Sequence, residues 1–159
     1  IVEQQLSLKA AATIWKRFLD LFDDYPHPHI ILSKDNDYIK NCGLSYQKVN
    51  YIKNIAQFAI DDDLSDEYIN SLSDEEVLKY LTQIKGVGKW TTEMILMFSM
   101  GRKDVFPVDD LVIRKAMISL YDLKSEKRAQ INEMEKIAAN WSPFRSYACY
   151  VLWDWKDGK

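Results

Sequence analysis

Leu81-Thr82-Gln83-Ile84-Lys85-Gly86-Val87-Gly88-Lys89-Trp90-Thr91 sets two glycines one residue apart between two stretches of helical periodicity. Glycine reaches positive φ without steric cost and lets another backbone come close, so this segment reads as a tight turn joining two helices. Upstream, Ser73 and Glu76 form a capping box that opens a helix running through Val77, Leu78 and Leu81 to Ile84. Downstream, Trp90 to Met100 is almost wholly apolar, which predicts a central helix buried on every side.

The same periodicity extends both ways. Ala11, Ile14, Trp15, Phe18, Leu19 and Phe22 recur at helical spacing, and after the loop Tyr25-Pro26-His27-Pro28-His29 a second helix carries Val49, Ile52, Ile55, Ala56 and Ala59. Gly43-Leu44-Ser45 introduces that helix and the acidic run Asp61 to Asp63 closes it. Beyond Gly101, a loop through Pro107 leads to a helix with Ile113, Ala116, Met117 and Leu120. Two more follow, one bearing Ile131, Met134, Ile137, Ala138 and Trp141, the other starting after Pro143 with Tyr147, Val151 and Leu152. Strand-like alternation never persists, so the fold class is all-α, a compact multi-helix architecture. A length of 159 residues with 47% hydrophobic content fits a single domain over 1–159. The chain opens inside a helical pattern with no cap ahead of Ile1, from which a missing N-terminal segment is expected.

Composition excludes several classes of chemistry. Cys42 and Cys149 are the only cysteines, so neither a disulfide framework nor a four-cysteine zinc or iron–sulfur site can be built within this chain. His27 and His29 flank Pro28 with no third ligand nearby in sequence, and read as a surface loop rather than a zinc site. No apolar run approaches the roughly 20 residues that cross a bilayer, so no membrane partner is expected and the protein is read as soluble and cytoplasmic. A net charge of −3 weighs against a broad basic face of the kind most DNA-binding domains carry. Backbone N–H groups, however, hold phosphates without lysines.

Two constellations carry candidate chemistry. The Gly86-Val87-Gly88 turn presents backbone N–H groups and the start of the next helix outward, which suits a DNA phosphate, with Lys85 and Lys89 adding attraction. Two glycines in a helical protein also suit a plain turn. Asp104-Val105-Phe106-Pro107-Val108-Asp109-Asp110 ends a loop and begins a helix about 20 residues after the hairpin. A carboxylate there either faces a cleft or merely caps the helix.

Taken together and in this order, the hairpin segment and Phe106-Pro107-Val108-Asp109-Asp110 resemble the helix-hairpin-helix motif and Gly/Pro-rich loop with aspartate of the HhH-GPD DNA glycosylase superfamily. Ile1-Val2-Glu3-Gln4-Gln5-Leu6-Ser7 is similar to that family's opening helix and Trp141-Ser142-Pro143-Phe144-Arg145-Ser146-Tyr147-Ala148 to its closing one, so the likeness covers nearly the whole chain. Within the superfamily the bacterial-type alkylpurine (3-methyladenine) glycosylases match best.

The resemblance implies excision of alkylated purines from damaged double-stranded DNA by a monomeric hydrolase acting on N-glycosidic bonds. It implies Asp110, the second of the pair, as catalytic carboxylate. It places Trp90 and Trp153 as walls of the base pocket, with Met94 where some relatives carry a tyrosine, and Gln5 as a wedge entering the base stack. Lys85, Gly86, Val87, Gly88 and Lys89 form the DNA-binding hairpin. No cofactor is required, and a structural sodium or potassium ion would sit on the main-chain carbonyls of Thr82, Ile84 and Val87. Trp90 occupies the position of the nucleophilic lysine in bifunctional relatives, which implies an enzyme without lyase activity. Two other readings stay open: a glycosylase for a mismatched or deaminated base, and a non-catalytic helix-hairpin-helix module.

Overall fold

Caps decide where most helices begin. Ser45 accepts from Lys48 N at the head of α4 (Tyr46–Asp61), and Ser65 accepts from Tyr68 N at the head of α5 (Asp66–Ser71). Ser73 and Glu76 exchange both bonds of the expected capping box at the head of α6 (Asp74–Leu81). The other helices are α1 (Leu8–Asp20), α2 (Pro28–Ser33), α3 (Asn36–Lys40), α7 (Lys89–Met94), α8 (Leu111–Tyr121), α9 (Lys127–Ala139) and α10 (Arg145–Lys156), with a π-helical turn at Ile95–Ser99. This computed structural model describes residues 1–159 apart from Glu3, Gln5, Ser7, Asp157 and Lys159 and the side chains of Leu8 and Lys156. Among the described residues no strand occurs, and the fold is all-α.

The chain gathers into two compact units, Ile1–Gly88 and Lys89–Lys159. In the first, α2 and α3 pack on α4. Its core joins Phe18, Phe22, Ile31, Ile39, Val49, Ile52 and Ala56, with the Phe18 and Phe22 rings 5.0 Å apart. Each of these larger side chains, Ala56 aside, contributes about 1.5–3 kcal/mol by leaving water. Two lysines tie distant backbone of this unit together: Lys53 Nζ donates to Lys34 O at 2.7 Å, and Lys48 Nζ donates to Val2 O at 2.9 Å and Gln4 O at 2.6 Å. In the second unit α10 packs on α8, and Leu96, Met97, Ile113, Ala116, Met117, Met134, Ala138 and Cys149 form the interior.

Four sequence expectations change. The helix begun at Ser73 ends at Leu81 rather than Ile84, because Gln83 N and Ile84 N bond three residues back, to Tyr80 O and Leu81 O, and tighten the last turn. The apolar run Trp90–Met100 is not buried on every side: α7 gives way to the π-helical turn, Trp90 is 38% and Phe98 62% exposed, while Thr92 and Glu93 are buried. A π turn holds more residues than an α turn and rotates the following side chains off the expected face. The His27–His29 segment is not all loop, since Pro28 opens α2 at the position where a missing N–H costs nothing. On α10 the buried face carries Ser146, Cys149 and Leu152, whereas Tyr147 and Val151 point outward.

Candidate active site

Pro107 is fully buried, and Asp110 N donates to its carbonyl at 2.9 Å, closing a turn just before α8. Asp109 is exposed and Asp110 is buried, 7% accessible. Asp110 is the N-cap of α8: its Oδ1 accepts from Val112 N and Ile113 N, both at 2.9 Å. It does more than cap. Trp153 Nε1 donates to the same oxygen at 3.1 Å, and Trp90 Nε1 donates to Oδ2 at 2.9 Å. Four N–H donors thus converge on this side chain, which suits a group that only accepts. Oδ1 holds three of the donors and Oδ2 only one, so Oδ2 keeps accepting capacity.

The two indoles therefore meet at Asp110. Met94 is half-buried at the end of α7. Sequence alone does not single out the aromatic stack behind Trp153: Phe98 lies 5.6 Å from it and nearly parallel, and Tyr150 lies 6.0 Å away, with its hydroxyl donating to Met97 O at 3.1 Å. Tyr150 and Trp153 are one turn apart on α10, a spacing that hints at a shared face.

The loop bearing Asp110 is tied to the head of α10. Arg145 grips Asp104 through Nε at 2.7 Å and Nη2 at 3.0 Å, its backbone N adds a bond at 3.2 Å, and Ser142 Oγ donates to the same carboxylate at 2.8 Å. These bonds to the charged form, the guanidinium first, hold the Asp104 pKa down at about 2. Buried Ser146 ties the loop further: its hydroxyl donates to Arg102 O at 2.7 Å and accepts from Val105 N at 3.0 Å, and its backbone N donates to Lys103 O at 3.0 Å. Sequence alone marked Asp104 only as part of an acidic loop, because its partner lies 41 residues away.

Within the first unit, the hairpin turns at Gly86, whose φ is +108° and whose missing Cβ leaves room for the Tyr51 ring; an added Cβ would lie 2.2 Å from Tyr51 Cγ. Gly88 differs, with ordinary φ and nothing within 4 Å of where a Cβ would stand. Asn54 Nδ2 donates to Lys85 O at 3.0 Å and Val87 N to Ile84 O at 2.9 Å, which fixes the turn. The side chains of Lys85 and Lys89 are exposed, and Lys89 Nζ lies 3.6 Å from Glu93 Oε1. Gln5, the expected wedge, lies outside the described residues. Among the described residues no group of three metal-ligating side chains forms, and no helix is long and apolar enough to cross a membrane.

Comparison with known proteins shows the family and the fold. A family model described as HhH-GPD superfamily base excision DNA repair protein matches residues 1–143. The chain is 38% identical to DNA-3-methyladenine glycosylase 1 of Schizosaccharomyces pombe, over 96% of this chain and 68% of that protein. Its fold is similar to that of the S. pombe 3-methyladenine DNA glycosylase solved with abasic DNA, with TM-score 0.84 and 37% identity over 96% of this chain and 75% of that one. It is also similar to a DNA-3-methyladenine glycosidase from Bacillus halodurans, with TM-score 0.83 and 30% identity over 98% and 71%.

Proposed function

The chain belongs to the HhH-GPD superfamily of base excision DNA repair proteins, and from that premise we propose that it excises alkylated purines, such as 3-methyladenine, from duplex DNA. The observation that carries the proposal is Asp110, a buried carboxylate aimed by two indole N–H groups. A base in a duplex hides its glycosidic bond, so the nucleotide must first rotate out of the stack. Gln5 serves as the wedge that fills the gap, and the Gly86-Val87-Gly88 hairpin with Lys85 and Lys89 holds the phosphates without reading sequence.

A purine alkylated at N3 or N7 is positively charged. Trp90, Trp153 and Met94 line the pocket that receives it, and the electron-rich indole faces attract the cation more than a neutral base. The same charge makes the base a good leaving group that needs no acid. As the C–N bond breaks, its electron pair leaves with the base and positive charge builds on the sugar, as in glycoside hydrolysis. Asp110 Oδ2 stabilises that cation and orients the water whose oxygen bonds to the sugar carbon, the proton that the water sheds passing to Asp110 or to solvent. Trp90 provides no amine to form a Schiff base, so the enzyme hydrolyses the base and leaves the strand intact.

The protein acts as a monomer on damaged DNA in the cytoplasm, associated with the nucleoid. Its hairpin carbonyls, Thr82, Ile84 and Val87, suit a sodium or potassium ion. Ile84 O already accepts Val87 N–H, and a carbonyl's second lone pair leaves a place for a cation that would stiffen the turn. Base release from duplexes carrying single lesions tests the function: 3-methyladenine and 7-methylguanine should be released without strand cleavage. Binding to such duplexes without release would reduce the protein to a DNA-binding module, and release confined to a mismatched or deaminated base would make it a glycosylase of another kind.

A further inference from the structure

Glu93 has no part in the chemistry above, yet it lies beside it. It follows Trp90 by one helical turn on α7, so the two are neighbours on the helix surface. It is only 3% exposed; Oε1 lies 3.6 Å from Lys89 Nζ, and Oε2 is buried with no hydrogen-bond partner among the described residues. A carboxylate with a bare, buried oxygen is costly, whereas the protonated acid is far less so.

The charged groups around Glu93 do not cancel that cost. Lys89, on the same helix, favours the ionised form, while Asp109 and Asp110 from the loop before α8 oppose it. Burial is the largest influence and raises the Glu93 pKa to about 7. From α10, Cys149 feels the charges of Asp110 and Glu93; burial foremost pushes its thiol up to about 12, so it stays neutral near pH 7. The two carboxyl groups are therefore unequal. Asp110 receives four N–H donors, and Glu93 receives one distant ammonium.

We propose that Glu93 is a charge-compensating residue of this site, holding its proton while the site is empty and giving it to solvent when a cation stands beside Asp110. An arriving positive charge offsets the repulsion from Asp109 and Asp110 and makes the ionised form tolerable. The O–H bond of the carboxyl breaks, its electron pair stays on Glu93, and the proton passes to water or buffer. Cation binding then tightens as pH rises toward and through about 7, while binding of a neutral group does not. The site would thereby favour charged alkylpurines by electrostatics beyond the indole faces. Glu93 acts through the field it adds at Asp110 and is a specificity-determining residue, not a catalytic one. The inference rests on the alkylpurine reading for the nature of the cation.

The test uses two duplexes with no base to excise, one carrying a pyrrolidine abasic analogue with a positively charged ring nitrogen, the other its neutral tetrahydrofuran counterpart. For the parent protein the ratio of their affinities should rise about fivefold between about pH 6 and about pH 8, the change expected over that interval for one unit of pKa coupling. For Glu93→Gln the ratio should be flat. A parallel rise in the variant, or a flat ratio in the parent, would overturn the proposal. Calorimetry of the parent in two buffers of different ionisation enthalpy gives a check that needs no variant: near pH 7 the pyrrolidine duplex should release more protons than the neutral one, and equal release would also overturn it. Absence of base release from alkylated duplexes would refute the proposed function but leave these binding results readable.

Discussion

Asp110 accepts two donors from the first turn of α8 and two from indoles 20 residues before it and 43 after it, so one side chain caps a helix and fixes two rings. Asparagine caps a helix about as well as aspartate. If its single amide oxygen stays on Val112, Ile113 and Trp153, its NH₂ faces the Trp90 N–H, donor against donor. Asp110→Asn should therefore remain folded at a cost of about 1–3 kcal/mol, visible as a lower melting temperature. Single-turnover excision should fall by about a hundredfold to a thousandfold, because the charge opposite the developing sugar cation is gone. Asp109→Asn changes an exposed side chain and should stay within a fewfold of the parent. The assignment fails if Asp109→Asn is the inactive variant or if Asp110→Asn keeps nearly full rate.

The hairpin separates by a different pair of variants. Gly86 sits at φ +108° against the Tyr51 ring, so Gly86→Ala should destabilise the fold by about 1–3 kcal/mol. Gly88 has open space and ordinary φ, so Gly88→Asp should melt close to the parent yet bind damaged and undamaged duplex alike about tenfold more weakly, since a phosphate contact carries no base information. A loss restricted to lesion DNA would move Gly88 from the backbone contact to the base site. What the sequence made legible here is local: the two-glycine turn, the Ser73–Glu76 box and the cap at Asp110 each depend on residues within four positions. Helices α3 and α5 escaped because five or six residues do not complete two turns of periodicity. The π-helical turn, the Phe98–Trp153–Tyr150 stack, the Asp104–Arg145 grip and the burial of Glu93 were not legible, since each is set by partners distant in sequence or by packing around the helix.

Over the whole molecule, two carboxyl groups pull the pH dependence of stability in opposite directions. Asp104 drops from its ordinary 3.8 to about 2 on folding, so its contribution is present above about pH 4 and is lost as pH falls toward 2. Glu93 rises from 4.5 to about 7, so its contribution is fully present below about pH 4.5 and is lost as pH climbs through 7. Glu93→Gln should gain thermal stability relative to the parent as pH increases from about 5 to about 8, and Asp104→Asn should lose its relative deficit in acid. Calorimetric melting curves that run parallel for the parent and Glu93→Gln across that range would contradict the direction of the Glu93 shift. A final consequence comes from the order of the donors on Asp110. The ribosome makes Trp90 first, then the aspartate, and Trp153 near the end of the described sequence, with Arg145 of the loop's anchor only shortly before it. A nascent chain can thus display its complete hairpin while its carboxylate holds a single indole, and Asp110 gains its last N–H donor only after residue 153 has been translated.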